Sequence, residues 1–370
     1  MEYEFALHAL DNVLMNTPLL IAHQFANAVM QITPLGNGLI NDTFLVATEA
    51  SPFVLQRINR TVFPAPEQIM ANLIMLNQHI AQKISASVKL QIPEIIKTLD
   101  DSTFYQDENG DCWRALSFID DTESLEAIGN ISNAEQAGFA LGHFHRLVSD
   151  LDPLLLHDTL PGFHITPEYL KHYHQILKQS VKPDSSPENS YCAEFIAEFQ
   201  HIADDLETAK QQGLLSLRVI HGDPKLNNFL FDKYSKRVVS IIDLDTVKPG
   251  LVHYDIGDCL RSCCQTFEPV GFNLDICAAV LKSYLTEAGA FFTEHDYHYL
   301  YPAIQLIPFE LGLRFYTDYL EGNRYFKVTE PEQNLRRAAD QFRLCESIMV
   351  QESAIKSLIA QLKTEAKTHC

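Results

Sequence analysis

The spacing of apolar and polar positions changes character twice along this chain. Residues 1–30 space their apolar side chains in the helical manner, and one or two helices are expected there. From Gln31 the period shortens to two. Gln31–Leu35, Thr43–Ala47 and Phe53–Ile58 are short alternating runs joined by tight turns, the pattern of an antiparallel meander. Pro66-Glu67 then opens a helix reaching to about Lys83, proline being favoured in a first helical turn. Two further strands are expected at Thr103–Gln106 and Cys112–Phe118, around the turn Asp107-Glu108-Asn109-Gly110.

After Ile119 the period lengthens again. Ser132-Asn133-Ala134-Glu135 has the spacing of a capping box, and Ala137, Leu141, Phe144, Leu147 and Val148 mark one helix face. Residues 181–190, VKPDSSPENS, read as a loop. Helices are expected from there to the end, except for a strand-like island over 217–242. The expectation is an α+β chain in two lobes: a helical extension over 1–30, a small antiparallel β-rich lobe over 31–119, a hinge near 118–125, and a larger, mainly helical lobe over 120–370.

Composition narrows the partners. Lys and Arg number 28 against 48 Asp and Glu, a net charge of -20. With no basic run to offset it, such a chain repels nucleic acid and anionic membranes. No stretch is apolar enough to span a bilayer, and the start, MEYEFALHALDNVLM, is acidic where a secretory signal is basic. Eight cysteines without a CxxC pair fit reduced, buried thiols in the cytoplasm. Fifteen histidines without an HExxH read as surface or core residues rather than metal ligands.

The island over 217–242 carries the chemistry. VIHGDPKLNNFLFD puts His221, Asp223, Lys225 and Asn228 between two apolar runs, where a plain surface hairpin would need only turn residues. The strand Val238–Ile242 then delivers Asp243. A neutral amide oxygen from Asn228 and a carboxylate from Asp243 suit Mg²⁺, which takes one or two carboxylates together with phosphate oxygens and water. Asp223 would then accept a proton from an attacking hydroxyl, and Lys225 would face the transferring phosphoryl group. A chance HxDxxxxN is expected about 0.04 times in such a chain, so the pattern stands out. Gly36-Asn37-Gly38, an ordinary turn by itself, would lie over phosphates with its N–H groups facing oxygen.

HGDPKLNN, IIDLDT and Tyr254-Asp255-Ile256-Gly257-Asp258 resemble the aminoglycoside phosphotransferase and choline kinase superfamily, distant relatives of the protein kinases. The resemblance implies a two-lobed protein-kinase-like fold, ATP as donor, Asp223 as catalytic base, Mg²⁺ on Asn228 and Asp243, and Phe118 and Ile119 beside the adenine. A narrower resemblance, carried by LRFYTDYLEGNRYF, Asn334-Leu335, Gln341, QRIN at 56–59 and IDLDTVKPG, is to the N-acetylhexosamine 1-kinases. It implies a small-molecule sugar acceptor phosphorylated at its anomeric hydroxyl, with Arg314 and Tyr325 helping to bind it. Asp245 is placed to accept from a ring hydroxyl. Without the resemblance, the Arg314–Tyr325 stretch reads as the end of an amphipathic helix with Gly322 as its terminator.

One departure from the kinase pattern stands out. The third strand, FVLQRIN, puts Gln56 where a lysine ordinarily holds the α- and β-phosphates, with Arg57 beside it. Strand alternation sends these two to opposite faces, so both cannot reach the nucleotide. Two alternatives therefore stay open: an aminoglycoside or choline-like amino alcohol as acceptor, and a non-catalytic nucleotide-binding module.

Overall fold

A computed structural model describes residues 17–36, 40–179 and 186–368. They divide into two compact units, one reaching to Ala81 and resuming over Gln91–Asp120, the other formed by Gln82–Leu90 and everything from Asp121 on.

In the first unit a helix, α1, covers 17–22 and the chain then enters β1 (Val29–Pro34), β2 (Asp42–Thr48) and β3 (Phe53–Ile58). Val29 and Met30 thus belong to the sheet, not to the expected helical extension, whose residues 1–16 lie outside the described ones. After α2 (Pro66–Ala81) come β4 (Ile95–Ile96), β5 (Tyr105–Gln106) and β6 (Cys112–Ser117). The strands form one antiparallel sheet in the order β1-β2-β3-β6-β4, with β5 also on β6.

Alternation gives the sheet two chemically different faces. Phe53, Leu55, Trp113 and Ala115 pack with Ile21, Ala22 and Phe25 into a core, each large side chain contributing about 1.5–3 kcal/mol by burial. The other face carries Thr43, Gln56 and Arg114 in one row, because Thr43 pairs with Gln56 and Gln56 with Arg114.

The second unit opens with β7 (Thr122–Glu123) and α3 (Ile131–Val148). The cap of α3 is Asn130, whose side chain accepts from the Asn133 N–H. It lies two residues ahead of the Ser132 that the capping-box spacing suggested, while the expected face is buried throughout. α4 (Thr166–Gln179) follows, then α5 (Pro187–Phe199), which starts inside the segment read as a loop because Ser186 caps it and Pro187 fits the first turn. α6 is Asp205–Gln211.

β8 (Arg218–Ile220), β9 (Phe229–Asp232), β10 (Val238–Ile241) and β11 (Lys248–Gly250) build the island. β9 pairs with β10 and β7, and β11 pairs with β8. Then come α7 (Val252–Cys264), a hairpin of β12 (Gln265–Phe267) and β13 (Val270–Phe272), α8 (Leu274–Ala288), α9 (Glu294–His298), α10 (Leu300–Leu320), α11 (Gln333–Val350) and α12 (Glu352–Thr368). The β12–β13 hairpin interrupts what the sequence reads as continuous helix, since three-residue strands leave no measurable period.

α3 packs against α8 unusually closely. A Cβ at Gly138 would stand 2.2 Å from the Val280 carbonyl oxygen, and one at Gly142 2.6 Å from that of Tyr284. This proximity carries His145 of α3 to Tyr284 of α8, and the other nitrogen of its ring faces Asp255 of α7.

Candidate active site

The island brings two turns side by side. Residues 221–228 leave β8, residues 242–247 leave β10, and the strands flanking them pair β8 with β11 and β9 with β10. Cross-bonds lock the turns together: Ile242 N–H to the Asn228 carbonyl at 2.9 Å, and the Thr246 hydroxyl to the His221 carbonyl at 2.8 Å. Gly222 is required between them. Its φ is +90°, and a Cβ would lie 2.6 Å from the Thr246 carbonyl oxygen.

α7 supplies the platform. Asp255, Asp258 and Ser262 fall on one face by helical spacing. The Asp255 carboxylate accepts the N–H groups of His221 (2.7 Å) and Gly222 (2.9 Å) and faces His145 Nε2 at 2.9 Å. Ser262 Oγ accepts from Leu226 N at 3.0 Å. Burial alone would raise the Asp255 carboxyl, but His145 and these donors outweigh it and hold it below its ordinary value. The tether thus stays ionised where the loop needs an acceptor.

His221 shapes the loop through its backbone. Burial pushes its pKa down, so the ring is neutral: Nε2–H donates to the Ile242 carbonyl at 2.9 Å and Nδ1 accepts the Asp223 N–H at 3.2 Å. Both nitrogens are thus engaged in holding the backbone of the loop.

Asp223 Oδ2 lies 2.6 Å from Lys225 Nζ. Burial would raise the Asp223 carboxyl, yet Lys225 and His221 turn the balance and hold it below its ordinary value of 3.8. Burial disfavours the Lys225 ammonium, but Asp223, then Asp243 and Asp258, raise it well above the usual lysine range. Asn228 Nδ2 donates to the Asp223 carbonyl at 2.7 Å, which turns Oδ1 the other way. Asp243 sits exposed at the end of β10 in the left-handed region, φ 65°. An amide oxygen and a carboxylate flanking a base and an ammonium fit a Mg²⁺ ion that takes its remaining oxygens from phosphate and water. Among the described residues no group of three or more His, Cys, Asp and Glu is arranged to hold a metal.

A second cluster adjoins the loop. His164 Nε2 donates to the Gly222 carbonyl at 2.7 Å and Nδ1 to Glu310 Oε1 at 2.9 Å. Glu310 Oε2 accepts from Thr166 at 2.6 Å. Burial opposes both charges, but the pair wins: His164 is raised and Glu310 lowered. One turn further along α10, Arg314 lies within 5.0–5.8 Å of the ring centres of Tyr169, Phe163, Phe326 and Tyr325. Its charge is raised against burial by Tyr169, Tyr325, Glu310 and Asp223. Asp318 holds two of those rings in place by accepting the N–H groups of Arg324 and Tyr325 at 2.8 Å and of Phe326 at 3.0 Å.

The structure therefore brings together Asp223, Lys225, Asn228 and Asp243, with Arg314 and Tyr325 beside them. Asp245 is 2% exposed, and its carbonyl accepts from Thr159 at 2.6 Å. In the first unit, Gly36 has φ 70° after β1, while Asn37 and Gly38 lie outside the described residues. Phe118 is half-buried and Ile119 buried just past β6. Gln56 and Arg57 do diverge. Gln56 meets Thr43 and Arg114, whereas Arg57 pairs with Asp42 and with Asp111 and lies 5.9 Å from the Trp113 ring centre. Phe163, His164, Tyr169, Glu310 and Arg114 escaped sequence reasoning, since no local pattern ties residues so far apart.

A sheet-bearing first unit, a mainly helical second one and a base–cation–amide–carboxylate loop define a phosphotransferase of the protein-kinase-like fold. Residues 31–292 match the model of the phosphotransferase enzyme family, and the chain belongs to that family. Solved structures of the same fold include an amicoumacin kinase (16% identity, TM-score 0.58, 95% of this chain and 96% of that one). A spectinomycin phosphotransferase is also similar (12%, 0.57, 88% and 94%), as is an ethanolamine kinase from Plasmodium vivax (13%, 0.57, 89% and 85%).

Proposed function

We propose that this phosphotransferase moves the γ-phosphate of ATP to the anomeric hydroxyl of an N-acetylhexosamine. The first unit carries the nucleotide and the second the catalytic loop and the acceptor. Asp223, ionised and oriented by Lys225 and Asn228, takes the acceptor's proton as its oxygen attacks phosphorus. Asn228 and Asp243 would hold Mg²⁺, and the ion would supply positive charge to offset that of the phosphates. Lys225 adds a fixed cation at the same place.

The observation that carries the acceptor assignment is the Arg314 cage. An aromatic box beside a catalytic carboxylate is what a quaternary or primary ammonium would occupy. Here the protein's own guanidinium fills it. A cationic acceptor would meet a like charge, whereas a neutral sugar meets planar donors and an aromatic face. Ethanolamine, named for one of the similar structures, belongs to that protein and is disfavoured at this site. Among the described residues no helix is long and apolar enough to cross a membrane, and the seven described cysteines are free and buried. Both features support work in the reducing cytoplasm, where ATP is supplied.

The test is ADP release with Mg²⁺ and ATP over N-acetylglucosamine, N-acetylgalactosamine, galactose, choline, ethanolamine and spectinomycin. Turnover is expected with an N-acetylhexosamine and lost on Asp223→Asn. Turnover confined to the amines would overturn the sugar assignment while leaving the phosphotransfer intact.

A further inference from the structure

The peptide that joins Gly222 to Asp223 is held at both ends by imidazoles. Its N–H donates to His221 Nδ1 at 3.2 Å, and its carbonyl accepts from His164 Nε2 at 2.7 Å. The two rings differ in state. His221 accepts at one nitrogen and donates at the other, and is neutral. His164 faces an acceptor on each side, the Gly222 carbonyl and Glu310 Oε1 at 2.9 Å, so both its nitrogens carry hydrogen and the ring is a cation. Thr166 donates to the second oxygen of Glu310, and the Tyr254 ring stacks on His164 at 5.3 Å between centres, a face that suits a cation. The backbone of His164 is left-handed, φ 67°, which is unfavourable for a residue with a β-carbon. Its neighbours fix it there: buried Lys248 donates to Asp158 at 2.9 Å and to the Leu160 carbonyl at 3.0 Å, and Thr159 donates to the Asp245 carbonyl. A side chain that only filled space would need neither the strained backbone nor a buried charge pair.

We propose that His164 is a positioning residue for phosphotransfer: it clamps the Gly222 carbonyl and, through that peptide, sets the direction in which Asp223 presents its carboxylate to the acceptor hydroxyl. A peptide unit is rigid, so fixing its carbonyl and its N–H fixes the backbone from which Asp223 projects. A charge-assisted hydrogen bond is stronger than a neutral one, and Glu310 keeps the clamp charged. Glu310 also stands one turn before Arg314 on α10, so the clamp and the aromatic cage share one helix. His164 itself touches no reactant. The inference rests on the phosphotransfer reading above.

Two amide substitutions divide the ring's nitrogens between them. His164→Asn puts an N–H where Nδ1 stood and accepts a left-handed backbone, so it answers Glu310 but gives up the Gly222 carbonyl. Its kcat is expected to fall about ten- to hundredfold, since a base displaced by about 1 Å can cost a hundredfold, while the KM for MgATP and for the acceptor stays within about twofold. His164→Gln puts the N–H where Nε2 stood and keeps the carbonyl bond. It is expected to hold kcat within about fivefold of wild type, yet to have the lower Tm, because Gln tolerates the left-handed backbone less well and leaves Glu310 without its cation. Activity and stability thus rank the two variants in opposite orders, which a packing role does not produce. Glu310→Gln, which keeps an oxygen toward Nδ1 but not the charge, is expected to lower kcat about three- to tenfold at an unchanged KM for MgATP. Wild-type kcat in folded His164→Asn or in Glu310→Gln overturns the proposal. So does a kcat that follows Tm, with His164→Asn the more active of the pair. A wild-type chain that phosphorylates no acceptor removes the kinase reading and this role with it, whereas failure of the clamp alone leaves the wild type active.

Discussion

Lys225 does more than add charge to Asp223. It keeps a half-buried carboxylate ionised, and the sign of its effect can be measured. A carboxyl whose pKa is lowered in the folded state acts as a base down to that lowered value and is lost only as pH falls through it. In the wild type, the acid limb due to Asp223 therefore lies below the ordinary 3.8. Lys225→Met removes the cation and leaves the burial, so the carboxyl rises. A plot of kcat/KM from about pH 4 to 8 is expected to show a new acid limb in the variant alone. Gly222→Ala tests the turn itself: the 2.6 Å approach to the Thr246 carbonyl has no room for a methyl, and activity is expected to collapse with a loss of stability of roughly 2 kcal/mol or more. These loop residues were legible because their order in the sequence is their order in space. The divergence of Gln56 and Arg57 was legible from strand period alone. Arg114 was not, because its partnership with Gln56 depends on which strand lies beside β3.

At the scale of elements, the fold places one loop by a single carboxylate. Asp318, near the end of α10, collects three successive backbone N–H groups and the Asn334 amide at 2.9 Å. Asp318→Ala leaves those donors unanswered and is expected to cost roughly 2–4 kcal/mol in denaturant unfolding. With the loop loosened, Tyr325 and Phe326 no longer fix Arg314. The acceptor KM then rises while the KM for ATP holds, a split that steady-state kinetics resolves. The sequence showed that α10 ends near Gly322, which has φ +85°. It did not show that the aromatic residues beyond it turn back onto Arg314, because that depends on hydrogen bonds to a side chain six to eight residues earlier. The meander and the α3 face were read correctly from periodicity. The α3 cap and the β12–β13 hairpin were not, since Asn and Ser cap helices about equally well and three residues do not make a period.

For the molecule as a whole, a net charge of -20 acts on every anion that approaches. MgATP is itself negative, and its approach is opposed at low salt, where the screening length is about 30 Å at 0.01 M against about 8 Å at 0.15 M. Its KM is expected to fall about two- to fivefold between those ionic strengths. A neutral sugar's KM should stay level over the same range. A salt-dependent rise in the acceptor KM would instead signal a cationic acceptor drawn in by the field.

The excursion of Gln82–Leu90 into the second unit has a consequence for how such chains diversify. Lys89 N–H reaches His143 Nε2 at 3.0 Å and Lys83 Nζ reaches Asp150 at 2.5 and 2.6 Å, before the chain goes back to finish the first sheet. The first unit is therefore not a contiguous cassette. A single recombination after Asp120 would import a foreign 82–90 segment along with a foreign sheet, and His143 would have to accept a new donor. The first sheet and the 82–90 segment are thus inherited as one linked block, and relatives should vary them by point substitution far more readily than by shuffling.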